Sequence, residues 1–135
     1  MIHRPTRPAT LAGASQRPRI LLVDGDGETL LALQSMRDRL DCDLVFCASP
    51  SEAPGRSGVQ DLDLAMIEQT EAGEMSGIQL HGFLKEMSPG VEVIMMTSCG
   101  LPPNSEEALK QGAYAWLEKP FESSEQLLST LLRAL

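Results

Sequence analysis

The feature that most constrains this chain is a short apolar run, unbroken rather than alternating, that stops abruptly on polar residues. Ile20, Leu21, Leu22 and Val23 run without interruption into Asp24, Gly25, Asp26 and Gly27. Related runs return at residues 43–47, 62–67, 91–96 and 113–117. A strand with one wet face alternates polar and apolar residues, whereas a strand covered on both faces does not. These runs therefore predict strands of a parallel sheet buried between two helical layers.

The segments between them change period. Residues 28–40 carry Leu30, Leu31, Leu33, Met36 and Leu40 on one side of a helix, with Arg37, Asp38 and Arg39 largely on the other. Ser49 and Pro50 open a short helix as cap and first residue, which Pro54, Gly55 and Gly58 cut short. Residues 68–77 form a loop rich in acid and glycine. A helix over residues 78–87 is stopped by Ser88, Pro89 and Gly90. Asn104 or Ser105 caps a helix reaching Gln111, with Gly112 just past its end. Ser123 or Ser124 caps a last helix bearing Leu127, Leu128, Leu131, Leu132 and Leu135. Strand and helix alternate five times, which implies an α/β fold with right-handed crossovers and helices on both faces.

The chain's 135 residues fit one domain. Residues 19–135 are expected to be that domain, and residues 1–18, with three Pro and no periodicity, a disordered basic tail. Aromatic residues are only 4%, so the core is aliphatic, with seven Met as adaptable filler. Arg4, Arg7, Arg17 and Arg19 precede the first acid, Asp24. From Ile20 onward seven basic residues face nineteen acidic ones, a balance of −12 that repels phosphate backbones and argues against nucleic-acid binding. No apolar run spans a membrane, and no apolar stretch follows the first residues as a secretory signal requires, so a cytoplasmic protein is expected. Cys42, Cys47 and Cys99 lack the spacing of a disulfide framework or a zinc site. His3 carries no signal, and His81, among polar residues, reads as a surface residue.

In a doubly wound sheet the site lies beyond the carboxyl ends of the strands. The residues there are Asp24, Gly25 and Asp26, then Glu68, then Thr97 and Ser98, then Lys119 and Pro120. Carboxylates can hold Mg²⁺, a Lys and a hydroxyl can hold phosphoryl oxygens, and a carboxylate between them can be a nucleophile.

Here the sequence resembles the receiver domains of bacterial response regulators, from about residue 19 to the end. Ile20-Leu21-Leu22-Val23-Asp24 is similar to the family's first strand with its leading acid. Leu64-Ala65-Met66-Ile67-Glu68, followed by Met75-Ser76-Gly77, is similar to the phosphoacceptor strand and loop. Val93-Ile94-Met95-Met96-Thr97-Ser98 is similar to the strand bearing the switch hydroxyl. The most specific match is the segment from Gln111 to Phe121, with Trp116 as switch aromatic and a pocket Lys119, followed by a cis peptide to Pro120. The resemblance implies a flavodoxin-like five-stranded sheet of order 2-1-3-4-5 and a role in two-component phosphorelay signalling. It implies a histidine kinase or a downstream signalling protein as partner, with a homodimer as a further arrangement, and no membrane.

Two departures stand out. The family has two adjacent acids after the first strand, where this chain has Asp24 and Gly25, and Gly25 offers a metal no side chain. The phosphoacceptor position holds Glu68 in place of Asp, before a loop a residue longer that lacks the family's Pro. Catalytic geometry tolerates about 0.5 Å of error, and one methylene exceeds that. Glu68 is therefore expected to take up phosphate poorly and to approach Lys119 or Thr97 with its own carboxylate. Mg²⁺ binding through Asp24 and Glu68 is expected to be weak.

Blander roles stand beside these. Asp24 is a pocket acid or an Asx-type cap, with its strand end favouring the pocket. Asp26 is placed with Asp24 in the acidic pocket, though it reads more readily as a turn or cap residue than as a metal ligand. Thr97 is a switch hydroxyl or a local hydrogen-bonding residue, and Trp116 a switch aromatic or core cover. Three functions follow: a phosphorylation-independent interaction module working through its last helices and strands, a working phosphoacceptor with Asp26 in a rebuilt metal site, or a nucleotide- or flavin-binding enzyme. The first is preferred. The enzyme is disfavoured because Asp24-Gly25-Asp26-Gly27 lacks the GxGxxG spacing. With the last helix ending at Leu135, the expectation is a stand-alone domain without an output module.

Overall fold

Alternate residues of each strand enter opposite cores, so a strand buried on both sides has no position to give to a polar residue. The computed structural model describes residues 17–70, 73–98 and 112–135. Its strands are β1 (Arg19–Val23), β2 (Asp43–Cys47), β3 (Leu64–Glu68), β4 (Glu92–Thr97) and β5 (Ala115–Glu118). All pair in parallel, in the order β2-β1-β3-β4-β5, which is the flavodoxin-like order expected. Leu21, Val23, Ala65, Ile67, Val93 and Met95 form one core with Leu80 and Leu84 of α2 (Gly77–Met87). Ile20, Leu22, Leu64, Met66, Ile94 and Met96 form the other, against Leu33 of α1 (Glu28–Ser35) and Leu127, Leu128 and Leu131 of α3 (Ser124–Ala134). The helix expected to end at Gln111, and Cys99, lie outside the described residues, as do residues 1–16 of the expected tail.

Several boundaries differ from expectation for local reasons. α1 ends at Ser35, not Leu40. The Ser35 hydroxyl donates to the Ala32 carbonyl at 2.7 Å, and the chain then tightens into a turn in which the Arg39 and Leu40 N–H groups share the Met36 carbonyl. Met36 and Leu40 stay buried, but Leu31 is 68% exposed, because the short helix buries a stripe too narrow to include it. In place of a short α-helix after Ser49 there are two 3₁₀ turns, Pro50–Gly55 and Val59–Asp61. Pro54 does not end the first. That turn closes through Glu52 N–H to Ser49 O and Arg56 N–H to Ala53 O, so the N–H that Pro54 lacks interrupts neither bond.

The start of α2 is fixed more firmly than its sequence suggested. Ser76 Oγ accepts the Gln79 N–H at 3.1 Å, and the Gln79 side chain accepts the Ser76 N–H at 2.8 Å, a complete capping box. Gln69 Oε1 accepts the Ile78 N–H at 3.0 Å. Gly77 sits so close to the end of β3 that a Cβ there would lie 2.9 Å from the Glu68 carbonyl oxygen. Of the two candidate serines, Ser123 caps α3, accepting the Gln126 N–H at 3.0 Å.

His81 corrects the sequence reading outright. The polar residues on its helix suggested a surface position, but it is fully buried and both ring nitrogens lack a hydrogen-bond partner among the described residues. It lies one position after Leu80 on α2, on the flank that the helix turns inward. Burial, and then the positive charge of Lys85 one turn on, hold the imidazole below its ordinary pKa. The unfolded chain therefore binds a proton at His81 first as pH falls. Stability is complete above about pH 6.5 and declines from there toward the lower folded-state pKa. We expect His81→Leu to flatten this slope in urea titrations between about pH 7 and 5 and to add about 1 kcal/mol by removing two unpaired buried nitrogens.

Candidate functional site

The parallel register brings the carboxyl ends of β1, β3, β4 and β5 to one edge, and the chain leaves each strand on a polar residue. Asp24 follows β1 and extends its ladder by one bond, its N–H reaching the Cys47 carbonyl at 3.1 Å. Its side chain is fully buried, with Oδ2 accepting the Thr29 N–H at 2.8 Å in the first turn of α1. Its other oxygen, Oδ1, accepts from Lys119 Nζ at 2.7 Å. Asp24 is thus a pocket acid and a helix-end acceptor at once.

Lys119 follows β5, its N–H bonded to the Thr97 carbonyl at 2.7 Å and its peptide bond to Pro120 cis. Its ammonium meets Asp24, both carboxylate oxygens of Asp26 at 3.2 and 3.3 Å, and Glu68 Oε2 at 3.3 Å. The Lys119 side chain is only 1% exposed. Burial alone lowers its pKa, but hydrogen bonds to Asp24 and Asp26 and the charge of Glu68 more than reverse this, leaving it above the ordinary lysine value. The Lys119 charge therefore contributes its share of the cluster's stability in full below about pH 10.4 while its carboxylate partners stay ionised, and loses it as pH rises through the elevated folded-state value.

Asp26 was read chiefly as a turn residue, and it is one: Oδ1 accepts the Glu28 N–H at 3.0 Å. It also reaches the cluster, with both carboxylate oxygens facing the Lys119 ammonium. The Glu28 N–H holds the Asp26 carboxyl below its usual range. Desolvation opposes that shift and Lys119 reinforces it.

Glu68 ends β3 in register with Met96. One oxygen accepts the Gly25 N–H at 2.9 Å and the other faces Lys119. The approach to Lys119 expected from the sequence is thus present. The Gly25 contact is a partner that composition and spacing gave no means to foresee. Thr97 ends β4, buried and in register with Glu118. Trp116, paired with Met95, packs half-buried on the core shared with α2, and its ring N–H is buried without a hydrogen-bond acceptor. Beside it a cavity of about 340 Å³ opens between β5 and α3, lined by Trp116, Lys119, Phe121, Gln126, Leu127 and Thr130. Lys119 thus lines both the acidic pocket and the surface of the last strand and helix.

Carboxylate oxygens of Asp24, Asp26 and Glu68 all lie within 4.8 Å of one another. An all-oxygen set of this kind suits a hard divalent cation such as Mg²⁺. The Lys119 ammonium, however, already stands at hydrogen-bond distance from all three, so an entering ion competes with it. Removing that ammonium leaves the buried Asp24 carboxylate without its counter-ion. We expect Lys119→Met to cost about 3–5 kcal/mol in chemical denaturation, far more than loss of an exposed ion pair such as Arg19–Asp61.

Comparison with known proteins agrees with this geometry. Residues 20–132 match the family model described as response regulator receiver domain. The chain is 30% identical over 109 residues to the transcriptional regulatory protein GlrR of Escherichia coli K12, covering 80% of this chain and 24% of that protein. It is 31% identical over 116 residues to ZraR of the same organism, covering 86% of this chain and 26% of that protein. It therefore spans about a quarter of the length of these curated relatives. A CheY-like receiver domain protein from Methanospirillum hungatei JF-1 superposes with a TM-score of 0.72 at 25% identity, covering 87% of this chain and 92% of that one. The receiver domain of an HD domain-containing protein from Pseudomonas fluorescens Pf-5 does so with a TM-score of 0.75 at 27% identity, covering 87% and 94%. Sheet order, an acid cluster at the strand ends, a buried lysine facing it and these matches lead to one conclusion: the chain belongs to the response regulator receiver domain family of two-component signalling.

Proposed function

We propose that this receiver works as a phosphorylation-independent protein–protein interaction module in two-component signalling. One observation carries the reading. The carboxylate at the acceptor position, Glu68, has one oxygen on the Gly25 N–H and the other on the Lys119 ammonium. Both groups are donors that an incoming phosphoryl group would need free. Glu68 also carries its nucleophilic oxygens one methylene further from the backbone than Asp does, beyond the ~0.5 Å that productive alignment tolerates. Mg²⁺ binding is weak in this reading, because Gly25 contributes no carboxylate and the Lys119 ammonium already stands at hydrogen-bond distance from those that remain. Signalling then passes through a docked histidine kinase or downstream protein, or a second copy of the chain. The docking surface is the last strand and helix, where Lys119 and Trp116 border the cavity. The acidic body keeps nucleic acid away.

A second reading has one observation in its favour: Asp26 lies within the carboxylate cluster, where it could stand in for the acid absent at Gly25. It describes a working phosphoacceptor with Mg²⁺-dependent phosphoryl transfer. Incubation with excess Mg²⁺ and acetyl phosphate, followed by intact-mass measurement, separates the two. We expect no mass gain beyond a trace on the native chain. Stoichiometric acid-labile phosphate that disappears in Glu68→Ala would replace the first reading with the second.

A further inference from the structure

Gly25 is a glycine without a conformational reason to be one. Gly27, Gly58, Gly73 and Gly112 have positive φ, a region that favours glycine, and Gly25 does not. A Cβ on Gly25 would find ordinary contact distances, 3.6 Å to Glu68 Oε1 and 3.7 Å to the Ala48 carbonyl oxygen. What fills the space beside it is therefore oxygen from two sides, one of them charged. A methyl group fits there. A carboxylate extended from that Cβ would meet the Glu68 carboxylate in a cluster that already holds three acids against one ammonium.

We propose that Gly25 is the positioning residue for Glu68. Its N–H fixes one carboxylate oxygen while Lys119 takes the other, and its missing side chain keeps a further acid out of the space Glu68 occupies. An acid at position 25 and a glutamate at position 68 then exclude each other on charge. Gly25 and Glu68 are one adaptation, not two separate losses. The proposal rests on the reading in which Glu68 keeps these contacts in the working protein.

The test is a set of thermal melts on the full chain carrying Gly25→Ala, Gly25→Asn or Gly25→Asp, each with Glu68 present and with Glu68→Ala. With Glu68 present, Gly25→Ala and Gly25→Asn stay within about 2 °C of the parent Tm, while Gly25→Asp falls by about 4 °C or more. With Glu68→Ala, the Gly25→Asp loss shrinks to less than half. Excess Mg²⁺ restores Tm to Gly25→Asp but not to Gly25→Asn, a response that backbone strain alone would not produce. If Gly25→Asp fails to fold beside Glu68 but folds with Glu68→Ala, the coupling stands in a stronger form. Equal losses in the two backgrounds, or unfolding in both, overturn it. Phosphate uptake by the native chain would remove the phosphorylation-independent reading and leave these melts unchanged. Equal losses would remove the coupling and leave the phosphate measurement unchanged.

Discussion

A buried ammonium needs carboxylates, and clustered carboxylates need a cation. That mutual requirement at Lys119 ties together segments nearly a hundred residues apart in sequence: the loop after β1, the end of β3 and the turn after β5. Neither side is stable there alone. Asp24 is fully buried and Lys119 nearly so, and each would face low-dielectric surroundings without the other. The ion cluster therefore closes the carboxyl edge of the sheet, as the two aliphatic cores close its faces.

The surrounding structure makes contact with this edge from several directions. Asp24 accepts a first-turn N–H of α1, so the helix and the acid hold each other in place. The end of β3 is clamped from its far side by Gly77, Gln69 and the capping box at Ser76. Lys119 is seated by its backbone bond to Thr97 before its side chain enters the pocket. Glu68 and Lys119 thus project from backbone positions fixed independently of each other. Their charge contact confirms an arrangement that packing has already made, which keeps its conformational cost low.

How much of this was legible in the sequence depended on the range of the signal. The strands were read from continuous apolar runs, and the site from the residues that terminate them, because both are local patterns enforced by a two-sided core. Lys119, Asp24 and Glu68 were reached this way. Asp26 follows the same strand end; its turn role is local, but its contact with Lys119 depends on the distant turn after β5. His81 was misread because polar neighbours say little about which flank of a helix turns inward when the packing partner is distant in sequence. The start of α2 carries a local signal, the Ser76 to Gln79 spacing of a capping box. The Gly25–Glu68 hydrogen bond had none, since a backbone N–H is present at every residue but proline and only the fold selects its partner.

The two departures from the family pattern take on a common meaning once charge is separated from geometry. The pattern supplies two acids from the loop after β1 and one from β3. This chain supplies the same number, as Asp24, Asp26 and Glu68. The negative charge facing Lys119 is therefore conserved in amount while its placement shifts, by one residue in the loop and by one methylene at β3. A salt-bridge cluster tolerates such a shift, because Coulomb attraction falls off gently with distance and side chains can lean into it. Octahedral metal coordination and in-line attack do not tolerate it, because both depend on tenths of an ångström. The same substitutions can thus keep the edge of the sheet intact and, in the proposed reading, still leave it poorly suited to phosphoryl chemistry. A receiver fold that retains its lysine and its three acids is, on these grounds, evidence about stability before it is evidence about phosphorylation.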